Sequence, residues 1–407
     1  MAKKLISVWL SLTILIFSSI SIYAGEVIQG DFFLKNIVIN GENIVNYELS
    51  DPVIMFRDRI YIPCSSEMES IMGFSAVSDN ESRTLKIQKT EPVSKNLTDT
   101  SKKNNMDRVS VEICDDYTIL ACAAETASDN KGSAADTSVS LAAQASVVDD
   151  DAYYADECGI ETLASLSYDS AKAESSTNKS SSASYVSFSD ADYTDITNSE
   201  LPVLKKDEVV YVPLNTIVSY EPFGWSSYYD SYSGVYISTD DDQVASSYFN
   251  IADSNYVKGR ATYINSRNRK VSMITAANMV RYFKYYGDIY GCDPDVLLSM
   301  CEVESTFYIT IVNRYNCIGL MQIKESTGKS YGYTRAQLLQ MKYNIQAGTA
   351  LLGESLSAFG GDYTKAISAH CYGLYGVKRG SYSTSYASKV FKKNASLDSY
   401  LAQNGYA

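Results

Sequence analysis

The stretch Asp293-Pro294-Asp295-Val296-Leu297-Leu298-Ser299-Met300-Cys301-Glu302-Val303-Glu304-Ser305 decides how the last third of the chain folds. An aspartate able to cap a first turn, followed by a proline where a helix has no use for an N–H, is a start signal. Leu297, Met300, Cys301 and Glu304 then recur at i, i+3, i+4 and i+7 and share one helix face. That face is apolar except for Glu304, a carboxylate in the last turn. Glu302 falls on another face and is expected to be solvated. A carboxylic acid set among apolar side chains has its charged form disfavoured, and a retained proton is what a general acid must donate. The bland alternative is a helix-end glutamate that turns to water, as most glutamates do.

The residues that follow weigh against the bland alternative. Ser305 comes directly after Glu304, and Gly319-Leu320-Met321-Gln322 comes next, with Thr327 beyond it. Then stand Asn344-Ile345-Gln346-Ala347-Gly348, an Ala-rich helical stretch Lys365–Ala369, Gly373, and Tyr386-Ala387 before Val390. Taken in this order, the series resembles the catalytic domain of the soluble lytic transglycosylases, the lysozyme-like SLT family, from about Ile274 to Lys393. The resemblance implies an all-α, lysozyme-like domain over residues 274–395, with a groove for peptidoglycan glycan strands. It implies that Glu304 first protonates the leaving oxygen of a MurNAc-GlcNAc β-1,4 bond. Glu304 then acts as base while the sugar's own 6-hydroxyl closes a 1,6-anhydro ring. One carboxylate suffices in that scheme, unlike the pair used by most glycosidases, and no metal or cofactor is implied.

By the same resemblance Ser305 supports the glutamate, and Met321, through its backbone, and Gln322 contact substrate. Asn344 and Gly348 read as structural, the glycine permitting close helix packing. Tyr386 matches a tyrosine near the groove, with one more exposed tyrosine among 34 as the alternative. The chain departs from the family where Ala-Tyr-Asn-x-Gly is usual and Ala369-His370-Cys371-Tyr372-Gly373 stands instead. An imidazole can donate a hydrogen bond, so either His370 takes the place of the missing tyrosine, or Tyr372 fills it and His370 packs passively. Glu325, Glu354 and Asp362 match no catalytic position and read as surface charge. Upstream, Thr275 reads as the cap of a helix bearing Met279, Val280 and Phe283.

In the N-terminal half two segments repeat. Pro52–Pro63 (PVIMFRDRIYIP) and Pro202–Pro213 (PVLKKDEVVYVP) are offset by 150 (202 − 52). Each is followed by a glycine–aromatic pair, Gly73-Phe74 and Gly224-Trp225, and an alternating stretch, Thr84–Ile87 and Val235–Ser238. Such alternation between turn residues predicts β-rich (α+β) units. These stretches resemble the copper amine oxidase N-terminal-like accessory domain, and no copper site is implied because they contain no histidine. Each copy alone is short of a full core, so one module split by an insertion is expected: 30–90 and 201–240, with 91–200 between them. That interval is dominated by Ser, Thr, Asp and Ala and reads as a flexible insertion, interrupted by strand-like pieces at Val109–Ile113 and Tyr185–Phe188. Residues 241–273 read as a linker and 396–407 as a tail.

The formal net charge of −13 argues against a nucleic-acid partner. With His370 as the only histidine, a His-rich metal site is excluded. Lys3 and Lys4, the apolar run Leu5–Ile22 and Ala24 read as an export signal over residues 1–24, with an uncleaved membrane anchor as the alternative. A secreted or cell-wall location follows from either, and cell-wall glycan is the expected partner, with a wall or protein ligand for the N-terminal module. The basic stretches Lys258–Lys270 and Lys378–Lys393 are solvated faces or docking rims for an anionic wall. The eight cysteines show no CxxC spacing and fix no disulfide framework. Three further readings stay open: a glycan-binding protein with a decayed site, a hydrolase on the same fold, and a cysteine peptidase pairing His370 with Cys301 or Cys317.

Overall fold

A computed structural model describes residues 26–93, 108–123 and 193–406. The expected export signal, most of the insertion, and the strand-like piece Tyr185–Phe188 lie outside the described residues.

The N-terminal half is a β-rich module built from two interlocked repeats. The first repeat runs β1 (Val27–Phe32), β2 (Asn36–Ile39), β3 (Glu42–Ile44), β4 (Ile54–Phe56), β5 (Arg59–Pro63), α1 (Ser66–Met72), β6 (Phe74–Asp79) and β7 (Thr84–Lys89). The second runs β8 (Val109–Cys114), β9 (Thr118–Cys122), β10 (Thr194–Asp195), β11 (Val203–Lys206), β12 (Val209–Pro213), α2 (Leu214–Val218), β13 (Ser226–Asp230) and β14 (Gly234–Ser238). The Pro52–Pro63 and Pro202–Pro213 segments are the hairpins β4–β5 and β11–β12, and they meet at their second strands. Tyr61 pairs with Pro213, Ile62 with Val212 and Pro63 with Tyr211. Since the copies are offset by 150, this register is a pseudo-twofold axis through Ile62 and Val212.

The same symmetry organises every other strand. The closed barrel runs β1-β4-β5-β12-β11-β8, and two flanking sheets run β3-β2-β14-β13 and β10-β9-β7-β6. In each flanking sheet the second strand of one repeat adds in parallel to the last strand of the other, β2 on β14 and β9 on β7. Strand alternation sorts the side chains. Ile54, Tyr61, Val111, Ile113, Leu204 and Tyr211 form one cluster, while Ile62 and Val212 join a larger core with Met68, Met72 and Ile217. The module is therefore wider than the quoted repeats, and the insertion narrower than 91–200, because β8, β9 and β10 belong to the sheets.

The C-terminal half is helical: α3 (Ile251–Arg267), α4 (Met273–Tyr290), α5 (Pro294–Ser305), α6 (Glu325–Ser330), α7 (Arg335–Leu338), α8 (Met341–Ala358), α9 (Tyr363–Lys378) and α10 (Ser385–Gln403), with a small β15–β16 hairpin at Cys317–Ile318 and Ile323–Lys324. Two expected connections turn out to be structure. The supposed linker 241–273 holds α3, whose Val257, Ala261, Tyr263 and Ile264 enter the core, and the supposed tail is the end of α10. The cap of α4 is Ser272, whose hydroxyl accepts from Thr275 N, rather than Thr275 itself. Among the described residues no helix is long and apolar enough to cross a membrane.

The module packs on the helices through Phe32, Leu34, Tyr47 and Tyr232. Tyr47 meets Tyr285 edge-on at 4.5 Å, and the buried Arg281 of α4 donates to the carbonyls of Ser231 and Tyr232 at 3.1 and 3.0 Å. Burial, with Arg281 beside it, pulls the Lys35 ammonium at this contact down to about 8.

The Tyr211 hydroxyl is buried without a hydrogen-bond partner, and burial holds its phenol far above the ordinary range. An orphaned buried hydroxyl costs folding free energy that a ring of the same shape without it does not. Tyr211→Phe is thus expected to stabilise the module by about 1 kcal/mol. Thermal and urea unfolding of the two proteins check this, and a destabilised variant would overturn it.

Candidate active site

Helix α5 starts as its sequence requires, with the Asp293 side chain accepting from Asp295 N at 2.8 Å and Pro294 in the first turn. It ends at Ser305, after which Thr306 and Phe307 adopt positive φ and turn the chain away. Glu304 therefore stands on the last turn, its side chain 17% exposed. His370 of α9 faces it, Nε2 lying 3.5 Å from Glu304 Oε1 and 3.1 Å from the Met321 carbonyl oxygen. A carbonyl only accepts, so Nε2 carries the proton and donates it to Met321, with the Glu304 carboxylate at ion-pair distance from the same nitrogen. Tyr386 of α10 stacks on the imidazole with centroids 5.9 Å apart and ring planes 13° from parallel. Burial raises the Tyr386 phenol well above its ordinary range, and the Glu304 charge raises it further. The hydroxyl has no partner in strict hydrogen-bond geometry.

The loop between α5 and α6 is held from beneath. Asn344 of α8 is fully buried; its Oδ1 accepts from Met321 N at 2.8 Å, and its Nδ2 donates to the carbonyls of Ile318 and Leu338 at 2.8 and 2.7 Å. Gly319 has φ +74°, and a Cβ there would meet Asn344 Nδ2 at 2.2 Å, so no other residue fits. The Met321 side chain points into the core against Gly348, where an added Cβ would come within 2.3 Å of its sulfur. Gln322 is buried, and its amide donates to the Gly319 carbonyl at 2.9 Å. Ser305 is also buried, its hydroxyl donating to the Cys301 carbonyl at 3.1 Å rather than to Glu304. The structure thus gathers Glu304, the Met321 carbonyl, His370 and Tyr386 into one cluster, while Ser305 and Gln322 brace the backbone around it. Tyr372 stands apart from these contacts, 43% exposed, beside the break in α9 where Gly373 leaves helical geometry.

Glu302 is not solvated. Its side chain is 2% exposed, with Oε1 accepting from Lys393 Nζ at 2.7 Å and Oε2 from the Tyr263 hydroxyl at 2.7 Å, while Arg267 lies 3.6 Å away. The heptad reading failed here because α3, which supplies Tyr263 and Arg267, was read as linker. The same contacts divert Arg267 and Lys393 inward from the expected basic rims, and Arg260 is bound to Asp295 at 2.6 Å. The other carboxylates of this region are engaged as well: Glu325 with Lys329 and Arg335, Glu354 with Tyr331, and Asp362 as the cap of α9. The cysteine-peptidase reading loses its nucleophile at Cys301, which is enclosed and whose thiol burial pushes up to about 12, the opposite of an activated thiolate.

Known proteins share this arrangement in part. Residues 281–390 match the profile of the Transglycosylase SLT domain family. This segment is an SLT transglycosylase domain. The transglycosylase of Enterobacteria phage PRD1 is 33% identical over 103 residues, 25% of this chain and 38% of its own length. The membrane-bound lytic murein transglycosylase C of Photorhabdus laumondii subsp. laumondii is 34% identical over 88 residues, 19% of this chain and 25% of its own. The chain thus spans well under half the length of either relative. Among solved structures, the 70 kDa soluble lytic transglycosylase of Escherichia coli aligns over 38% of this chain and 29% of its own at 17% identity, with a TM-score of 0.25.

Removing the Asn344 amide strands the Met321 N–H and two carbonyls in a dry interior. Asn344→Ala is expected to cost about 2–4 kcal/mol. Chemical denaturation measures it, and a cost below about 0.5 kcal/mol, the usual range for a surface change, would refute the assignment of Asn344 as the anchor of this loop.

Proposed function

We propose that the SLT domain cleaves peptidoglycan glycan strands with Glu304 as its one acid/base, leaving 1,6-anhydro-MurNAc ends. The observation that carries this reading is the isolation of Glu304. It is the carboxylate presented beside His370 and Tyr386, and every neighbouring carboxylate named above is locked in an ion pair, cap or hydrogen bond. A hydrolase of the ordinary kind needs a second carboxylate to activate water or to attack the sugar, and Glu302, bound on both oxygens, is unavailable for either. An intramolecular nucleophile removes that need. Murein, named for the Photorhabdus relative, supplies one in the muramic acid 6-hydroxyl.

In this reaction Glu304 gives its proton to the glycosidic oxygen as the bond to the anomeric carbon breaks and its electron pair passes to that oxygen. The 6-hydroxyl oxygen then bonds to the anomeric carbon, and its proton returns to Glu304, so the enzyme ends as it began. The Nε2–H of His370 donates to the carboxylate during the half-reaction in which Glu304 is charged, a role its hydrogen bond to Met321 pre-orients. His370 thereby stands in for the tyrosine usual in the family. Ser305, Met321 and Gln322 shape the pocket through the backbone, and the exposed ring of Tyr372 offers a surface for a sugar to stack on. We also assign the N-terminal module to the copper amine oxidase N-terminal-like accessory domains and the helical half to the lysozyme-like fold, in a protein exported to the cell wall.

The test compares wild type with Glu304→Gln on purified peptidoglycan, with mass spectrometry of soluble products. Anhydro-muramyl products from wild type, reduced by 10²–10⁴-fold in the variant, roughly what a general acid contributes, are the expected result. Reducing-end sugars would mean a hydrolase on this scaffold. Wall binding without release would leave a glycan-binding protein, the reading that the His370-Cys371 departure favours.

A further inference from the structure

We propose that the buried pair Glu302–Lys393 is a positioning clamp that sets the register of α10 against α5 and so seats the Tyr386 hydroxyl at Glu304. Only its kinetic consequence rests on the reaction proposed above. Tyr386, Val390 and Lys393 stand at i, i+4 and i+7 on α10 and share the face turned to α5. Val390 at the centre of this stripe is fully buried, and an apolar contact of that kind resists separation while doing little to define sliding. The two ends of the stripe meet the two glutamates of α5, Lys393 at Glu302 and Tyr386 beside Glu304. Ser299, one turn earlier on α5, adds a hydrogen bond to Asn394 at 3.2 Å.

Two observations make Lys393 the determinant. The Tyr386 hydroxyl meets full hydrogen-bond geometry with no partner, and its interaction with Glu304 is the one being positioned, so its place depends on where α10 as a whole sits. Glu302, in turn, is held by Tyr263 and Arg267 of α3, so the carboxylate is a fixed post rather than a mobile partner. A buried ion pair is an inefficient source of stability compared with packed apolar groups; what it contributes here is a directional contact that only one register satisfies. Lys393 and Glu302 touch no reacting atom and act through Tyr386.

Three variants and one cycle decide the matter. Lys393→Met is expected to lower kcat on soluble glycan strands by about tenfold with KM within about twofold, as for a displaced group that acts in the transition state. Lys393→Arg, which keeps the charge, is expected to recover most of that loss. In a Tyr386→Phe background the same Lys393→Met change is expected to cost less than about twofold, since the group it positions is gone. Full additivity of the two losses, or a rise in KM alone, overturns the clamp. If Lys393→Met does not fold, Glu302→Gln, which keeps its bond to Tyr263, replaces it with the same expectations. A second readout needs no cleavage: with labelled tyrosine, Glu304→Gln should shift the Tyr386 ring-carbon resonance in the parent and leave it unshifted in the Lys393→Met protein. Equal shifts in both overturn the clamp even if the wall is never cleaved, whereas absence of cleavage alone bears only on the proposed reaction.

Discussion

One buried amide orders the centre of the helical half. The chain from Thr306 to Lys324 crosses the end of α5 almost without regular structure, so its backbone polar groups need partners from elsewhere. Asn344 supplies two of them, for Met321 N and Ile318 O, and ties in the Leu338 carbonyl of α7, all from a position with no exposure. Because it holds Met321 N, the Met321 side chain is driven down onto Gly348 and the Met321 carbonyl faces out. That carbonyl accepts from His370, and the same imidazole nitrogen reaches Glu304. The Glu304 carboxylate is thus oriented from the core outward, through backbone rather than through a row of polar side chains. This economy explains how a site with few polar residues keeps a fixed geometry, and why Ser305 and Gln322 are spent on the backbone.

Two glutamates on one helix, two residues apart, have opposite fates for reasons of packing. Periodicity placed Glu304 correctly because the apolar stripe around it is continuous in the sequence. It misplaced Glu302 because a hydrophobic pattern registers a partner helix only when that helix presents apolar side chains. The helix α3 buries Val257, Ala261 and Ile264, but between them its contacts are small or polar: Tyr263 offers a hydroxyl, Ser254 is buried, and Gly259 lies so close to Tyr406 that a Cβ would come within 2.5 Å. Small and polar residues at contact points look like linker until the partners are seen. The end of α10 was missed although Leu397 and Leu401, at i and i+4, are buried in the core, because so short an apolar pair stands among Ser, Asp and Gln. By contrast, the start of α5 was legible from a local requirement, its cap, whereas the Gly319–Gln322 loop and Asn344 and Gly348 were marked by the resemblance, and the positive φ of Gly319 emerges only in the structure.

The N-terminal module shows the same division. Its hairpins β4–β5 and β11–β12 were legible because both strands and the turn are contiguous. The flanking sheets were not, because each closes by a parallel pairing between repeats, and parallel pairs leave no local signature. The consequence is an obligate interlock. β2 completes the sheet of the second repeat and β9 that of the first, so neither repeat buries its core alone. β9 and β10 pair antiparallel across the expected insertion, and lengthening a loop costs only logarithmically in closure entropy.

Symmetry also poses a question that side chains answer. A pseudo-twofold module has two equivalent ends, yet one carries the helical half. At that end the segment between β1 and β2 offers Leu34 and Lys35, and the turn between β13 and β14 offers Tyr232 and two carbonyls to Arg281. At the other end the equivalent segment is Asp115, Asp116 and Tyr117, and the equivalent turn contains Asn80 and Arg83. These groups satisfy one another: Tyr117 donates to Asn80, Lys205 donates to Asn80, and Arg83 pairs with Asp116. An end whose polar groups are already paired gains little by docking, whereas burying Arg281 is tolerable only while its carbonyl partners stay in place. Burial draws the Arg281 guanidinium down to about 10, a measure of what its charge gives up in leaving water, and its Nε remains unpaired. A contact that strained favours a single docking angle, because a small rotation would forfeit both hydrogen bonds and leave the charge buried. The module is therefore fixed to α4, the helix that leads into α5, so its orientation is tied to that of the helix carrying Glu304.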